Sequence, residues 1–525
     1  MNTYRQLVNE LLSNPNKMLT KKPFTRGYVS ENESLPNSGI AGVNESVSVQ
    51  APRHKKNIVS QQTFARELDP NSHDVLFDEN IPSLCVKVAD KDYREVKYKR
   101  MSVPIQRMIK NKQVMHLTAN PMQFTLMDIN PDDKKQENFI TFKQYWELRN
   151  QDGMKVKMVD AQKSYGDAGL LYYFDLDGQV KSRLLSFKDG YILCPHNDKN
   201  GERILECVYY VNDDVEHLDC YDKEFMHSFV KETEVEYEVE GATIVQGWRY
   251  LGAEEHGFSE IPLITKRGDV AWNNIQPIIE AYEELYNIFN AIQKRFGWGI
   301  FYVKGKFKET TKKIAGSVVL NDTSIDGKGD AKFLTPPTPQ GTIDTLNLML
   351  ESIQLGSSTT FLLPKDVKMS GDISGIAIML TQSLDMENAL QGVIEWQNVA
   401  DKMVRLFKEG LAKELVNKGE NPTAVTEYAD MNINAKFKVW RPLNEYEYNQ
   451  MVTMLLGAGV LSQESAIELN TFSKPDEKNR IKKETEEAER KAQEQFEQQA
   501  TLAQQNADNN NGGSKSNEEK MKGGE

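Results

Sequence analysis

Cysteine is scarce in this chain, whose 525 residues include four, at Cys85, Cys194, Cys207 and Cys220. No two of them form a C-x-x-C pair, and no histidine lies at zinc-finger spacing from them, which excludes the common zinc motifs. Isolated thiols in a chain of this length are typical of a protein made in a reducing cytoplasm. We therefore expect ordinary buried or half-buried cysteines.

Long apolar runs and catalytic signatures are absent as well. No stretch of about 18 apolar residues exists, and the N-terminal residues have no signal-peptide pattern, so we predict no membrane span. The motifs G-x-x-x-x-G-K-[ST], H-E-x-x-H and G-x-S-x-G do not occur. We therefore predict that the chain is not an enzyme and has no catalytic residue, cofactor or metal site.

Basic residues are in the minority. The chain has 77 acidic and 64 basic side chains and a formal net charge of −13 at pH 7. A protein that coats nucleic acid is expected to be basic, so a chain of this charge that handles DNA does not grip it over a large surface. The length itself predicts two to four domains.

The first half of the chain changes character several times. Residues 1–19 fit a short helix, whereas residues 27–62 are rich in Ser, Asn and Gly and are typical of a flexible arm. A helix fits Val103–Met115. From about residue 123 to residue 252, alternating patterns predict an antiparallel sheet with one solvated face. Asp177-Gly178 marks a hairpin turn in it, and the missing closing glutamate disfavours a calcium loop there.

Two long amphipathic helices enclose a small β-prone module. Apolar residues at helical spacing predict the first helix over 275–296. Short strand candidates fill residues 297–340, with a turn at Asp326-Gly327. The second helix starts near Gly341. Proline and glycine, at Pro364 and Gly371, then break the chain into a loop.

The last part of the chain is mainly helical. The longest helical pattern covers about residues 374–418, with Gly392 as its expected bend. A further helix ends at Gly457 and Gly459, and Ser462 opens a short one. From about Asn506 the composition is of low complexity, and we expect disorder.

The order of these parts is more specific than any single motif. The local sequences agree with it: FSEIPLI precedes NIQPIIEAYEELYNIFN, SGDISGIAIML opens the long helix, and RPLNEYEYNQMVTMLLGAGVLSQESAIEL precedes KPDEKNRIKKE. Over about residues 85–500 the chain resembles the portal proteins of tailed bacteriophages, especially the portal family of Bacillus-type siphophages. The arm before residue 63 has no counterpart in that pattern.

The resemblance implies an α+β portal fold, with a β-rich wing, a two-helix stem, a small α/β clip, a long kinked helix and an α-helical crown, assembled as a ring. By position, the regions are a partly disordered N-terminal arm (1–84), the wing (85–273), stem helix 1 (274–296), the clip (297–340), stem helix 2 (341–361), a tunnel loop (362–373), the long kinked helix with the return to the wing (374–441), the crown (442–498) and a disordered tail (499–525).

The resemblance also implies a function. Portals of this family are dodecameric rings at one capsid vertex, and they serve DNA packaging, retention and ejection. The implied partners are copies of the chain, double-stranded DNA in the channel, the large terminase, the head-to-tail adaptor, and the major capsid and scaffolding proteins. The implied location is the portal vertex of the virion, after assembly in the host cytoplasm.

Three sets of residues are candidates for this work. The tunnel loop would bring a first set close to DNA, namely Lys365, Asp366 and Lys368. Carboxylates of the first stem helix would repel phosphate in the channel, unless they form an outward solvated face, namely Glu280, Glu283 and Glu284. A basic cluster of the clip would face DNA or acidic partner loops, unless it is a solvated strand surface, namely Lys304, Lys306, Lys308, Lys312 and Lys313.

Two other interpretations stay open at this point. The chain could be a nucleic-acid-processing enzyme with an unrecognised active site, which assays for nuclease and ATPase activity would detect. It could also be a non-viral scaffolding protein with a coiled C-terminus. Only the portal hypothesis requires a closed ring with a hole.

Overall fold

The structure is a computed structural model of one chain. It describes residues 4–30, 54–77, 84–87, 93–96, 99–128, 131–239, 242–296, 300–304, 307–309, 320–322, 330–334, 340–361, 382–419, 421–440, 445–470, 480–495 and 497–499. The chain divides into two compact units, Met1–Lys368 with Thr381–Arg441, and Met369–Leu380 with Pro442–Glu525.

The N-terminal segment is built into the first unit. Its elements are α1 Tyr4–Leu12, α2 Pro15–Met18, β1 Phe24–Ser30, β2 His54–Val59, α3 Gln61–Leu68, a 3₁₀ helix Asp74–Leu76, β3 Leu84–Lys87 and β4 Tyr93–Val96. The predicted first helix is confirmed. The flexible arm predicted over 27–62 is wrong at both described ends, because β1 pairs with β2, and Val59 and Phe64 are buried in one apolar cluster with Trp272 and Ile279.

Three helices follow. They are α4 Ile105–Thr118, α5 Asp133–Leu148 and α6 Gln151–Tyr165, with the short strand β5 Gln123–Leu126 after α4. The predicted helix near residue 103 is confirmed as α4. The strand pattern predicted from residue 123 is wrong for α5 and α6. Asp132 caps α5 by accepting a hydrogen bond from the Lys135 backbone, and Phe142 and Trp146 bury its inner face.

Two antiparallel sheets follow α6. Their strands are β6 Asp167–Phe174, β7 Val180–Leu185, β8 Ile192–Asn197, β9 Arg203–Asn212, β10 Val215–Tyr221, β11 Phe225–Val239, β12 Ala242–Glu255 and β13 Leu263–Arg267. The three-stranded sheet has the order β13-β6-β7, and the five-stranded sheet has the order β12-β11-β10-β9-β8. The antiparallel sheet predicted for this part of the chain is therefore confirmed.

The turn between β6 and β7 has the predicted form. Gly178 has a φ of 70°, which favours glycine. The Asp175 carboxylate accepts hydrogen bonds from the backbone N–H groups of Asp177 and Gln179, at 3.1 and 2.8 Å. Asp175 therefore closes a hairpin turn, as the sequence favoured over a calcium loop.

The three described cysteine side chains are buried in the larger sheet. Cys207 lies opposite Cys194 on one neighbouring strand and opposite Cys220 on the other. Val8 and Met18 of the N-terminal segment pack over them. Burial raises the pKa of the Cys194 thiol to about 11, so the group is neutral at physiological pH. The expectation of ordinary buried cysteines is confirmed for these three.

The predicted order of helix, β module and helix is confirmed. The elements are α7 Gln276–Phe296, β14 Ile300–Lys304, β15 Phe307–Glu309, β16 Leu320–Asp322, β17 Asp330–Leu334 and α8 Gln340–Ser357. β14 pairs with β17, and β15 pairs with β16. α7 and α8 contact each other, and Ile279 and Ile353 join the same buried cluster.

The central core lies along the next helix. The elements are α9 Ser383–Asn417, α10 Ala424–Ala429 and β18 Ile433–Lys436, which pairs with β5. The sequence predicts a bend at Gly392, and the helix runs without interruption through this residue. The bend itself stays a prediction. A side chain at Gly392 would meet Leu117 of α4 at 3.1 Å, so glycine permits α4 and α9 to approach closely.

The second unit has three described helices. They are α11 Glu445–Gly457, α12 Gln463–Leu469 and α13, over residues 480–495. Gly459 has a φ of 69°, and the Val460 N–H returns to the Leu455 carbonyl at 3.0 Å, as expected at a helix C-terminus. The Ser462 side chain accepts from the Ser465 N–H at 3.2 Å and caps α12. Both predicted boundaries are confirmed.

Candidate functional site

Glu283 lies on the buried side of α7. Its side chain is 3% exposed. One carboxylate oxygen accepts a hydrogen bond from the Val103 N–H at 2.6 Å, and the two oxygens lie 2.8 and 3.1 Å from Nδ1 of His73. The prediction of a surface carboxylate is wrong at this position. Ile279, Glu283 and Asn287 are four residues apart and share the helix face that packs against earlier parts of the chain.

The geometry around His73 requires a charged imidazole. Its Nδ1 faces the Glu283 carboxylate, and its Nε2 lies 2.8 Å from the Glu67 carbonyl oxygen. Both partners only accept hydrogen bonds, so both ring nitrogens carry a proton. Burial acts to lower the His73 pKa, but the hydrogen bond and charge of Glu283 outweigh it and raise the pKa above its ordinary value. A buried ion pair therefore joins the N-terminal segment to α7.

A second polar contact lies just before α7. The Arg26 guanidinium donates two hydrogen bonds to the Glu67 carboxylate, at 2.6 and 2.7 Å. Trp272 Nε1 donates to the same carboxylate at 2.7 Å, and Arg26 Nε donates to the Asn273 side chain at 3.3 Å. A bidentate pair of this kind fixes both position and orientation. The N-terminal segment therefore holds the start of α7 in place.

The middle of α7 is held by backbone contacts. The Asn287 side chain accepts from the Met101 N–H at 2.8 Å and donates to the Met101 carbonyl at 2.7 Å. Together with Glu283, this contact fixes more than one turn of the helix. The exposed face of α7 is consequently presented in a defined direction.

Glu280 and Glu284 lie on that exposed face. They are four residues apart and border a groove of about 400 Å³, which Arg66 and Asp74 also line. Gln276 donates to the Glu280 carboxylate at 3.0 Å. Two exposed carboxylates at this spacing form a stripe that repels phosphate. Of the three predicted stem carboxylates, these two are exposed, and their role stays a prediction.

Two helices carry large apolar side chains on their outer faces. On α8, Leu348 is 63% exposed and Leu355 is 67% exposed; on α9, Leu390 is 49% exposed and Ile394 is 79% exposed. The spacings of seven and four residues place each pair on one stripe of its helix. The opposite side of α8 is buried through Ile353. Each helix is therefore apolar on two sides. A single copy of the chain buries only one of these two sides.

The other candidate residues lie wholly or partly outside the described residues. Lys365, Asp366 and Lys368 are outside them, as are Lys306, Lys312 and Lys313. Lys304 ends β14 and Lys308 is in β15, but the structure describes only their backbone. Their roles stay predictions.

Buried carboxylates in the described residues have structural partners. The buried Glu414 accepts from the Val180 N–H at 2.9 Å and pairs with Arg149 at 2.8 Å. Burial raises the pKa of Glu206, which accepts from Thr265 at 2.7 Å. Within the described residues, no group of His, Cys, Asp and Glu is arranged to hold a metal ion. Likewise, no described helix is long and apolar enough to cross a membrane.

A family model described as "Phage portal protein, SPP1 Gp6-like" matches residues 53–491. The chain belongs to this family of phage portal proteins. The α+β portal fold and the resemblance inferred from the sequence are thereby confirmed. The family is structural and not enzymatic, so the enzyme hypothesis is set aside. The chain is a component of the phage head-to-tail connection.

Other comparisons add little. No curated protein matches the chain. One similar solved structure is a chain from the neck of an empty GTA particle computed with C6 symmetry. The two chains are 12% identical with a TM-score of 0.39, and the match covers 70% of this chain and 90% of that one. This likeness is weak, and the family membership rests on the sequence match.

Proposed function

We propose that twelve copies of the chain form a closed ring at one capsid vertex. Double-stranded DNA would be packaged, retained and ejected through the ring. The portal family membership supports this role. The single observation that carries the ring itself is the outer apolar stripes of α8 and α9, at Leu348, Leu355, Leu390 and Ile394.

The stripes favour association with another copy. Covering a Leu or Ile side chain is worth about 1.5–3 kcal/mol, so four partly exposed side chains per copy are a considerable driving force. A closed ring repeats one heterologous interface, and every copy then covers the stripes of its neighbour. The face of α7 with Glu280 and Glu284 would stay exposed and line the channel.

The acidic charge suits a channel through which DNA slides. Twelve copies at −13 each carry a charge of roughly −156, which repels phosphate along the pore. Few tight phosphate contacts are then expected. The exceptions would be Lys365 and Lys368 of the tunnel loop, which would supply a ring of positive charge.

The clip region, 297–340, would dock the terminase first and the head-to-tail adaptor later. Its predicted basic cluster would give a docking surface there a charge opposite to the net charge of the chain. Deletion of residues 305–332 should leave rings that bind neither partner. Packaged DNA in particles with this deletion would refute the docking role.

Negative-stain images of the purified protein test the ring. Wild type should show closed rings with a central hole. The double variant Leu348→Lys/Leu355→Lys should give monomers with an unchanged circular dichroism spectrum. The matched control is Asn347→Lys, which adds one charge on the flank of α8 and should leave rings intact. Wild-type protein that stays a stable monomer would contradict the proposal.

A further inference from the structure

A cavity of about 430 Å³ borders the outer apolar stripe of α9. It is lined by residues from the end of α6, the segment before α7, the end of α8 and the first half of α9. On α9 the lining includes Gln391 and Glu395, which are exposed and directly follow Leu390 and Ile394 in the sequence. The cavity therefore lies beside the surface at which the proposed ring needs a partner.

Lys163, in the last turn of α6, brings a positive charge to this cavity. Its side chain is half-buried, and in the described part of the chain no acceptor lies within hydrogen-bonding distance of its ammonium group. Burial lowers the pKa of Lys163, and the charges of Glu395 and Asp269 oppose this shift. A partly desolvated ammonium group is costly when it has no hydrogen-bonded partner. A carboxylate that enters the cavity would therefore gain a charge-assisted contact.

The other two cations that line the cavity have acceptors within the chain. Lys266 Nζ donates a hydrogen bond to the Glu395 carbonyl at 2.8 Å. The Arg267 guanidinium donates to the Lys22 carbonyl. Among the described cations of the cavity, Lys163 is thus the one whose ammonium group is left for a ligand.

The outer stripe of α8 carries a carboxylate in a matching state. Glu351 lies three residues after Leu348 and four before Leu355, which places it between them on the same stripe. It is exposed, and no described cation lies within ion-pair distance of it. Asp344, one turn before Leu348, instead accepts a hydrogen bond from Gln340 at 2.9 Å. The α8 stripe is therefore apolar with one available negative charge at its centre.

We propose that the ring contact joins the α8 stripe of one copy to the α9 stripe of the next, with Glu351 entering the cavity and pairing with Lys163. This inference rests on the proposed ring. The three cations and two carboxylates that line the cavity leave one net positive charge, which matches a single carboxylate. The contact is heterologous, so every copy offers Glu351 to one neighbour and Lys163 to the other. One charge pair among apolar contacts fixes the register of the interface.

Charge reversal tests the pairing, with sedimentation velocity as the readout and circular dichroism as the check on folding. Glu351→Lys and Lys163→Glu each place like charges across the interface. Each should raise the protein concentration at which half of the chains are in rings at least about tenfold. An equal mixture of the two variants should form rings again, because each copy then meets opposite charges in neighbours of the other kind. The double variant Lys163→Glu/Glu351→Lys should form rings on its own.

Matched changes away from the stripes serve as controls. Glu137→Lys, at an exposed position of α5, and Lys157→Glu, at an exposed position six residues before Lys163, should assemble as wild type does. If Lys163→Glu does not fold, Lys163→Met in the Glu351→Lys background takes its place. It removes one of two facing positive charges and should assemble more tightly than Glu351→Lys alone.

Two kinds of failure are distinguishable. The pairing is refuted if folded Glu351→Lys protein assembles as tightly as wild type, or if the mixture of folded single variants stays monomeric. It is also refuted if Lys163→Met brings no improvement in the Glu351→Lys background. In these cases wild type still forms rings. Wild type and both controls that stay monomeric would instead contradict the proposed function.

Discussion

The two halves of α9 differ sharply in what covers them. In the second half, Phe407 is fully buried, with its ring 5.3 Å from that of Trp146 and 5.7 Å from that of Phe142. In the first half, Leu390 and Ile394 lie exposed on one stripe. One continuous helix therefore has a self-covered half, whose apolar side chains the chain buries by itself, and an uncovered half, whose inner side is buried but whose outer stripe is exposed.

The two halves differ in whether their apolar side chains are buried within one copy of the chain or left for a partner to cover. In the second half, glycine at Gly410 lets Val180 and Phe258 pack directly on the helix. In the first half, Gly392 does the same for Leu117, but on the inner side only. A helix that is apolar on two sides in one region is typical of a segment between its own core and a neighbouring subunit.

The largest effect is expected in the self-covered half. Phe407→Ala should lower the free energy of unfolding by about 3–5 kcal/mol, because it leaves a cavity among packed aromatic rings. Thermal or urea unfolding measures this, in a background that does not assemble so that subunit contacts do not contribute. Asn398→Ala, at an exposed position of α9, serves as the control. A loss below about 1 kcal/mol for Phe407→Ala would remove the distinction between the halves.

Substitutions in the uncovered half of α9 should prevent assembly and leave the stability of the single chain nearly unchanged. Leu390→Glu/Ile394→Glu should abolish rings in sedimentation velocity experiments. The free energy of unfolding of its monomer should lie within about 0.5 kcal/mol of that of the non-assembling Leu348→Lys/Leu355→Lys protein. The charge would have to be buried in the interface, which is costly. Leu390→Met/Ile394→Leu keeps the stripe apolar and should preserve rings. Unfolded Leu390→Glu/Ile394→Glu protein would place the stripe in the core of the chain.

A smaller, pH-dependent effect is expected where the N-terminal segment meets α7. The folded-state pKa of His73 is raised, so the stability from the His73–Glu283 pair is fully present below the ordinary histidine pKa of about 6.5 and is lost as pH rises through the folded-state value. Glu283→Gln should cost about 1–3 kcal/mol at pH 6 and progressively less at higher pH. Unfolding measured in steps upward from pH 6 checks this. A cost that is independent of pH would show that His73 is neutral in the fold.

The smallest effect is expected on the exposed face of α7. Glu280→Gln/Glu284→Gln should leave ring formation unchanged and alter the rate of DNA release by about twofold at low ionic strength, because exposed charges interact weakly. Salt should remove the difference. Ala281→Glu, at an exposed position beside Glu280, adds a carboxylate to the same groove and should act in the opposite direction. An equal rate for all variants at low salt would exclude these carboxylates from the channel wall.

Local patterns in the sequence were sufficient where an element is determined by its own residues. The turn at Gly178, the cap at Ser462 and the helix predicted over 275–296 agree with the structure. α5 and α6 were missed. In α6, apolar and charged residues alternate as they do in a strand, at Met154, Lys155, Val156, Lys157 and Met158. Packing on several sides gave these helices no clean stripe.

The parts of the site that could not be predicted depend on contacts distant in sequence. His73 and Glu283 are 210 residues apart, and Thr360 contacts Lys112 from 248 residues away. A histidine or lysine carries no local signal of such a partner. For the same reason, residues 27–62 read as an arm, although β1 and β2 pair with each other and α3 joins the core under α7.

A photo-crosslinking amino acid at Ile394 tests whether another copy of the chain covers the exposed stripe of α9. It reports which molecule covers the exposed half of α9. Irradiation of otherwise wild-type protein with this label should give a ladder of covalent multimers of this one chain, up to the full ring. As a control, the same label placed at Asn398 in the Leu390→Glu variant should give few covalent multimers. Crosslinks confined within single chains, in protein that is folded and monomeric, would contradict the account.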